Sequence, residues 1–232
     1  MDVQQLYSAR FESQKVLDRK NKIWQVLCKH FFQKHIPTDG VVLDIAAGYC
    51  EFINNIEAKK KIAFDLNPDV KRFANKDVQV FNESFFDMTK HLQGAQVDII
   101  FASNILEHLD SKEQVIAAIR VCSEVLKSVK ILNNVKIWGG KMLILQPNIK
   151  YAGAAYWDFI DHKVALTELA LIEAGEMCGL KVSYCLRKFL PYTTKSKLPQ
   201  HPFLIWLYLK LMPLSGFFMG AQSFLILEKT DE

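Results

Sequence analysis

The densest set of residues able to do chemistry is VVLDIAAGYCEF at 41–52, where Asp44 sits near the end of an apolar, β-branched run and Ala46, Ala47 and Gly48 follow it. Small side chains in a turn that leaves a strand let a ligand approach the backbone closely. A ligand with a charged amino-acid end, a ribose and an adenine has that requirement. Asp65 closes a second apolar run, KIAFDLNP, 21 residues after Asp44. A carboxylate at that place can accept hydrogen bonds from both hydroxyls of a ribose. Two further pairs, Glu107-His108 and Asp161-His162, set an acid beside a base and are candidates for proton transfer. For His162 a hydrogen-bonded structural role is the competing reading, and His108 suits an anchor for its helix.

Positioning these groups takes alternating strands and helices. Val16, Ile23, Trp24, Leu27 and Phe31 recur at near-helical spacing, so a helix is expected over about Ser13 to Phe32, ended by HIPTDG at 35–40. VVLDI at 41–45 is a short buried strand, and a helix is expected to begin near Glu51, with Cys50 in helical backbone. Further strands are expected at 78–81, 97–102 and 141–146, each reached after a crossover, which is the rhythm of a parallel sheet. Ser111 to Gln114 resembles a capping box opening a helix through Leu126, and Thr167 with Gly179 brackets another helix. KVSYCLRKFL at 181–190 and QSFLILEK at 222–229 close the chain as strands, the last suited to antiparallel pairing.

Taken together these pieces resemble the class I S-adenosylmethionine-dependent methyltransferase family, whose first motif runs acid-x-Gly-x-Gly-x-Gly after strand one, with an acid ending strand two. FASNILEHL at 101–109 resembles the family's fourth-strand motif, and GGKMLILQPN at 139–148 its Gly-Gly, fifth strand and Pro-Asn exit. DLNPD at 65–69 and YWDFIDHKVALTE at 156–168 extend the likeness, which covers most of residues 7–229. The resemblance implies an α/β, Rossmann-like class I methyltransferase fold, with a mostly parallel seven-stranded sheet, an antiparallel last strand and helices on both faces. One domain over 1–232 is expected, with an N-terminal helical cover at about 1–37 and an apolar excursion at about 191–220 before the last strand. The implied cofactor is S-adenosyl-L-methionine. Asp44, Ala46 and Gly48 would line its methionine end, Asp65 and Leu66 its ribose, and Ser84 and Phe85 its adenine. Ser103 and Asn104 would sit beside the sulfonium, and Tyr7, Arg10 and Phe11 would fold over the cofactor. His162 and Asp161 are the implied catalytic pair on the acceptor side.

The chain departs from the family at four places. Ala46 and Cys50 stand where glycine is usual, and Ser84 stands where many relatives carry an adenine-binding carboxylate. About ten extra residues, read as a surface insertion, separate Leu126-Lys127 from Gly139-Gly140. Methyltransferases of surface-polysaccharide pathways share this look, so the expected acceptor is a small-molecule or glycan-type intermediate, including a lipid-linked one. A Rossmann oxidoreductase using NAD would want G-x-G-x-x-G where this chain has IAAGYC. A non-catalytic S-adenosylmethionine-binding or scaffold protein of the same fold is the alternative from another class.

Composition narrows the classes further. The chain has 232 residues, half of them apolar and 16 of them Phe, enough for one sizeable core. Cys28, Cys50, Cys122, Cys178 and Cys185 include no C-x-x-C pair, so neither a disulfide framework nor a metal site is expected, and the start lacks a secretory pattern. A cytoplasmic location follows as the expectation. The six Lys or Arg residues between Met177 and Leu227 meet no acid, which suggests a basic rim for an anionic substrate or membrane surface, or else a solvated face. No nucleic acid is expected, because no binding motif accompanies that charge. PFLIWLYLKLMPLSGFFMG at 202–220 contains Lys210 and Pro213 and reads as a lid helix or as a segment in peripheral contact with a membrane, possibilities that differ in what its apolar face covers.

Overall fold

Period-two burial along the strands determines the architecture. A computed structural model describes residues 14–92, 94, 96–132, 135–137, 139–191, 201–215 and 220–230; Tyr7, Arg10 and Phe11 lie outside them. Helix α1 (Gln14–His30) precedes β1 (Val41–Ile45), β2 (Lys60–Phe64), β3 (Val78–Phe81) and β4 (Ile99–Ser103). Helix α2 (Lys112–Val125), β5 (Lys141–Pro147), α3 (Glu168–Glu176), β6 (Leu180–Leu190), α4 (Pro202–Ser215) and β7 (Gln222–Lys229) follow. The seven strands lie in the order β3-β2-β1-β4-β5-β7-β6. Strands β1 to β5 pair in parallel, and β7 runs antiparallel to both of its neighbours. This is the mixed sheet that the resemblance implies.

Successive side chains of a strand point to opposite faces. Leu43 and Ile45 of β1, Ile100 and Ala102 of β4, and Met142 and Ile144 of β5 therefore enter one core with the inner sides of α2 and α3. Val42, Ile99, Phe101, Leu143 and Leu145 enter a second core with Leu27, Phe31 and Phe32 from α1 and the turn after it. The second core is aromatic: Phe52 stacks on Phe101 at 3.7 Å, and Phe31 meets Phe189 at 4.2 Å and Phe224 at 5.1 Å. Helices α2 and α3 are capped as their sequences suggest, with Ser111 Oγ accepting from Gln114 N and Thr167 Oγ1 from Ala170 N.

Two elements differ from expectation or add to it. The helix expected near Glu51 is only a 3-10 turn, Ile53–Asn55. Cys50 has a φ of 60°, a left-handed conformation that breaks any helical run there, and β2 already begins at Lys60. The insertion after Lys127 pairs Lys130–Leu132 with Val135–Ile137 as an antiparallel hairpin.

Helix α4 has 14 residues, about 21 Å at 1.5 Å per residue. Its Ile205, Leu209 and Met212 pack against the second core, and Tyr208 donates to the Phe189 carbonyl at 2.5 Å. Phe203, Leu204 and Leu211 remain exposed. Among the described residues no helix is long and apolar enough to cross a membrane. Of the basic run, Arg187 lies 3.8 Å from Glu168 and Lys188 sits over the Tyr151 ring, both on the edge strand β6. Charge on an edge strand also discourages strand addition by another chain.

Candidate functional site

All but two of the described residues expected to form the site lie on or just beyond the carboxyl ends of β1 to β4, around the point where strand order reverses between β1 and β4. Open α/β sheets bind ligands in that crevice, because the connections leave on opposite faces and part there. Asp161 and His162 are the exception, in the loop before α3.

The turn after β1 has an alternating backbone. Ala46, Gly48 and Cys50 have φ values of 54°, 55° and 60°, all left-handed. Every second residue of the turn therefore takes the conformation that glycine adopts without penalty, although two of the three are not glycine. The buried Cys50 thiol packs near the Val70 carbonyl at 3.8 Å, and burial pushes its pKa up. Replacing Ala46 with glycine removes a Cβ penalty of about 1–2 kcal/mol and gives back part of it as unfolded-chain entropy. Ala46→Gly should therefore stabilise the protein by roughly 0.5–1 kcal/mol, read as a rise in denaturation midpoint. A lower midpoint would show that the alanine methyl contributes packing that outweighs its strain.

Carboxylates gather beneath this turn. Asp65 Oδ2 accepts the Gly48 N–H at 2.6 Å and Oδ1 accepts the Asn67 N–H at 2.7 Å, so one side chain ties the first turn to the second. Burial pushes the Asp65 pKa up, and the two N–H donors oppose that rise. Asp44 is fully enclosed, and its pKa is raised by burial first and then by Asp65 and Glu51, against one backbone N–H from Ile53. Negative charge crowded into a buried place is relieved by a cationic ligand. Asn82 Nδ2 donates to the carbonyls of Asp65 at 2.9 Å and Leu66 at 3.1 Å, bracing the loop, and Leu66 projects outward with 64% of its surface exposed.

The remaining expected residues are placed as follows. Ser84 Oγ accepts the Phe86 N–H at 3.3 Å as the cap of the 3-10 turn Phe85–Lys90, and Phe85 is buried against Phe86. Ser103 ends β4, and Asn104, with a φ of 51°, donates from Nδ2 to Ser103 Oγ at 2.9 Å. Asp161 and His162 join the turn after β4: the Asp161 carbonyl lies 2.9 Å from His108 Nδ1, and His162 Nε2 lies 3.9 Å from Glu107 Oε1. The His162 side chain is only 5% exposed.

Sequence reasoning missed Asn67, Asn82 and Gln146. Asn67 is buried, and its Nδ2 has no hydrogen-bond partner among the described residues. Gln146 Nε2 holds Glu107 Oε2 at 2.8 Å. Asn67 was within the DLNPD motif and Gln146 within the fifth-strand motif, so the position was readable; the inward direction of each amide was not.

No protein-family model matches the chain. No curated protein matches it either. Solved structures do. A S-adenosylmethionine-dependent methyltransferase from Archaeoglobus fulgidus superposes with a TM-score of 0.62 at 20% identity, over 98% of this chain and 100% of that one. Another from Thermotoga maritima gives a TM-score of 0.61 at 14% identity, over 96% and 97%. The plantazolicin methyltransferase BamL, solved with a triazolic desmethylPZN analog and S-adenosylhomocysteine, gives a TM-score of 0.58 at 12% identity, over 98% and 89%. This chain has the class I methyltransferase fold. Within that fold the antiparallel β7, inserted between β5 and β6, sets the sheet apart from that of a Rossmann oxidoreductase. Between β1 and β2 the chain makes the 3-10 turn Ile53–Asn55, and Phe52 stacks on Phe101 beside it.

Proposed function

We propose that the protein binds S-adenosylmethionine across the carboxyl ends of β1 to β4 and transfers its methyl group to a small-molecule or glycan-type acceptor. The observation that carries this reading is the turn at 46–50, whose left-handed backbone at every second residue is kept although two of its three glycines are replaced. Beside it, Asp44 and Asp65 are buried carboxyl groups whose pKa values burial pushes up, and a ligand with a cationic end would favour their ionised form. Asp65 uses one lone pair of each oxygen on backbone N–H groups, which leaves one on each for a ribose hydroxyl. The buried Asn67 amide is a further donor, and Leu66 offers an apolar surface.

Bound S-adenosylmethionine supplies an electrophilic methyl group on a sulfonium. The protein's part is to align the acceptor in line with that methyl and to exclude water. Ser103 and Asn104 sit on the side where β4 ends, and Asp161 with His162 bounds the acceptor side. The exposed face of α4 and the basic edge strand β6 support an anionic acceptor, including a lipid-linked one at a membrane surface.

Calorimetry with S-adenosylmethionine, S-adenosylhomocysteine and NAD tests the cofactor, and labelled methyl donor offered with nucleotide sugars, lipid-linked glycans and small metabolites tests turnover. Binding of the first two ligands with transfer to one acceptor class is expected. Binding of NAD alone would overturn the proposal, and tight cofactor binding with no transfer to any class would assign the non-catalytic alternative.

A further inference from the structure

Glu107, His108 and His162 bring a carboxylate oxygen and two imidazole nitrogens within 4.8 Å of one another, and the surrounding hydrogen bonds specify what suits the space between them. The Asp161 backbone carbonyl lies 2.9 Å from His108 Nδ1. A carbonyl only accepts, so Nδ1 carries the proton, and a neutral ring then turns the bare lone pair of Nε2 inward. That lone pair faces Glu107 Oε1 at 3.7 Å, and His162 Nε2 stands 3.9 Å from the same oxygen. Glu107 is wholly buried, and its Oε1 has no hydrogen-bond donor among the described residues. An imidazole lone pair turned toward a buried carboxylate oxygen is costly unless positive charge lies between them.

We infer that Glu107, His108 and His162 form a binding site for a divalent transition-metal ion of the zinc class, ligated by Glu107 Oε1 and the two imidazole Nε2 atoms. Two imidazoles and one carboxylate are a donor set such ions favour, with coordination positions left over for water or substrate. Outer contacts of the kind that orient metal ligands are in place: the Asp161 carbonyl on His108 Nδ1, and Gln146 on the other Glu107 oxygen. Asp161 Oδ2, 3.3 Å from His108 Nδ1, adds negative charge behind the ring. The Lys163 and Val164 N–H groups donate to the Glu107 carbonyl at 2.8 and 3.1 Å, so the two ligand-bearing loops are tied together. Lys163 Nζ turns away to Asp110. Tyr156 and Phe159 pack on the His162 ring at 4.9 and 5.1 Å and form an apolar collar. Tetrahedral ligands with bonds of about 2.0–2.1 Å stand about 3.3 Å apart, so each carboxylate–imidazole separation would close by about half an ångström. Sequence spacing carries no signal for this site, because Glu107-His108 and His162 come from separate loops. The site stands independently of the methyl-transfer reading.

The full chain, stripped of metal by dialysis against chelator, is titrated with Zn²⁺ and separately with Co²⁺. One equivalent of each should bind, and the Co²⁺ form should show visible ligand-field bands without the thiolate charge-transfer band that cysteine ligation produces. His162→Gln and Glu107→Gln should each weaken Zn²⁺ binding by about 100-fold or more while methyl-donor binding persists. Absence of stoichiometric binding by the wild-type chain, a thiolate band, or Zn²⁺ affinity unchanged in a folded Glu107→Gln variant would each overturn the assignment. The wild-type Co²⁺ spectrum decides the matter even where a variant fails to fold.

Discussion

Asp65→Ala is expected to weaken binding of S-adenosylmethionine and S-adenosylhomocysteine by about two to four orders of magnitude. The carboxylate does two things at once. It pins the turn after β1 to the loop after β2 through the Gly48 and Asn67 N–H groups, and it keeps one acceptor site on each oxygen for the ligand. Hydrogen bonds to a charged group contribute about 1.5–3 kcal/mol each, so losing two from the ribose costs about 3–6 kcal/mol. At about 1.4 kcal/mol per decade this spans the stated range. Stability should change less than affinity, because the substitution also removes the cost of burying a charge whose pKa is already pushed up. Asp65→Asn should fall between the two, since its amide oxygen can hold only one of the N–H donors well. Calorimetric titration with thermal melts of the free protein separates the effects. Wild-type affinity in a folded Asp65→Ala variant would remove Asp65 from the binding site.

Gly140→Ala should destabilise the fold by about 3 kcal/mol or more, toward the upper end of what overpacking costs. An added Cβ would stand 2.6 Å from the Val97 carbonyl oxygen, 2.9 Å from Leu126 Cδ2 and 3.0 Å from the Lys127 nitrogen. Two of those three atoms are backbone, held by the Lys127 N–H to Val97 O bond at 2.9 Å and the Gly140 N–H to Lys127 O bond at 2.7 Å. They cannot retreat as a flexible side chain would, and the Lys229 N–H to Gly140 O bond at 3.0 Å ties the same point to β7. For a chain of this length the melting temperature should fall by roughly 6–12 °C, at about 2–4 °C per kcal/mol. Gly153→Ala is the control: nothing lies within 4 Å of its added Cβ, and only its backbone, at φ 58° and ψ −141°, is penalised, at about 1–3 kcal/mol. Equal melting temperatures for wild type and Gly140→Ala would show that the start of β5 can shift to admit a methyl group.

The sequence by itself determined the strands and the order of chemistry along them. VVLDI, VQVF and QSFLILEK coincide with β1, β3 and β7, because β-branched and alternating runs between turn residues have few other stable placements. Ser111 and Thr167 announced α2 and α3, since a hydroxyl before an apolar-periodic run satisfies an orphan N–H locally. Gly139-Gly140 was legible as a motif, and its reason, the approach of Val97, the Leu126-Lys127 segment and Lys229 to one backbone point, was not. Tertiary structure alone decided the rest. Cys50 looked compatible with a helix, but crossing from β1 to β2 while keeping the turn open makes it left-handed, and the helix is lost. The donors on Asp65 come from a turn 17 residues earlier and from the loop just after it, and only their meeting shows which oxygen lone pairs remain. His162 was singled out as half of a pair with Asp161; in the fold it faces Glu107 and His108 from another loop. Local patterns in a chain report local energies, whereas a site assembled from loops at the ends of several strands depends on distances that only the closed sheet establishes.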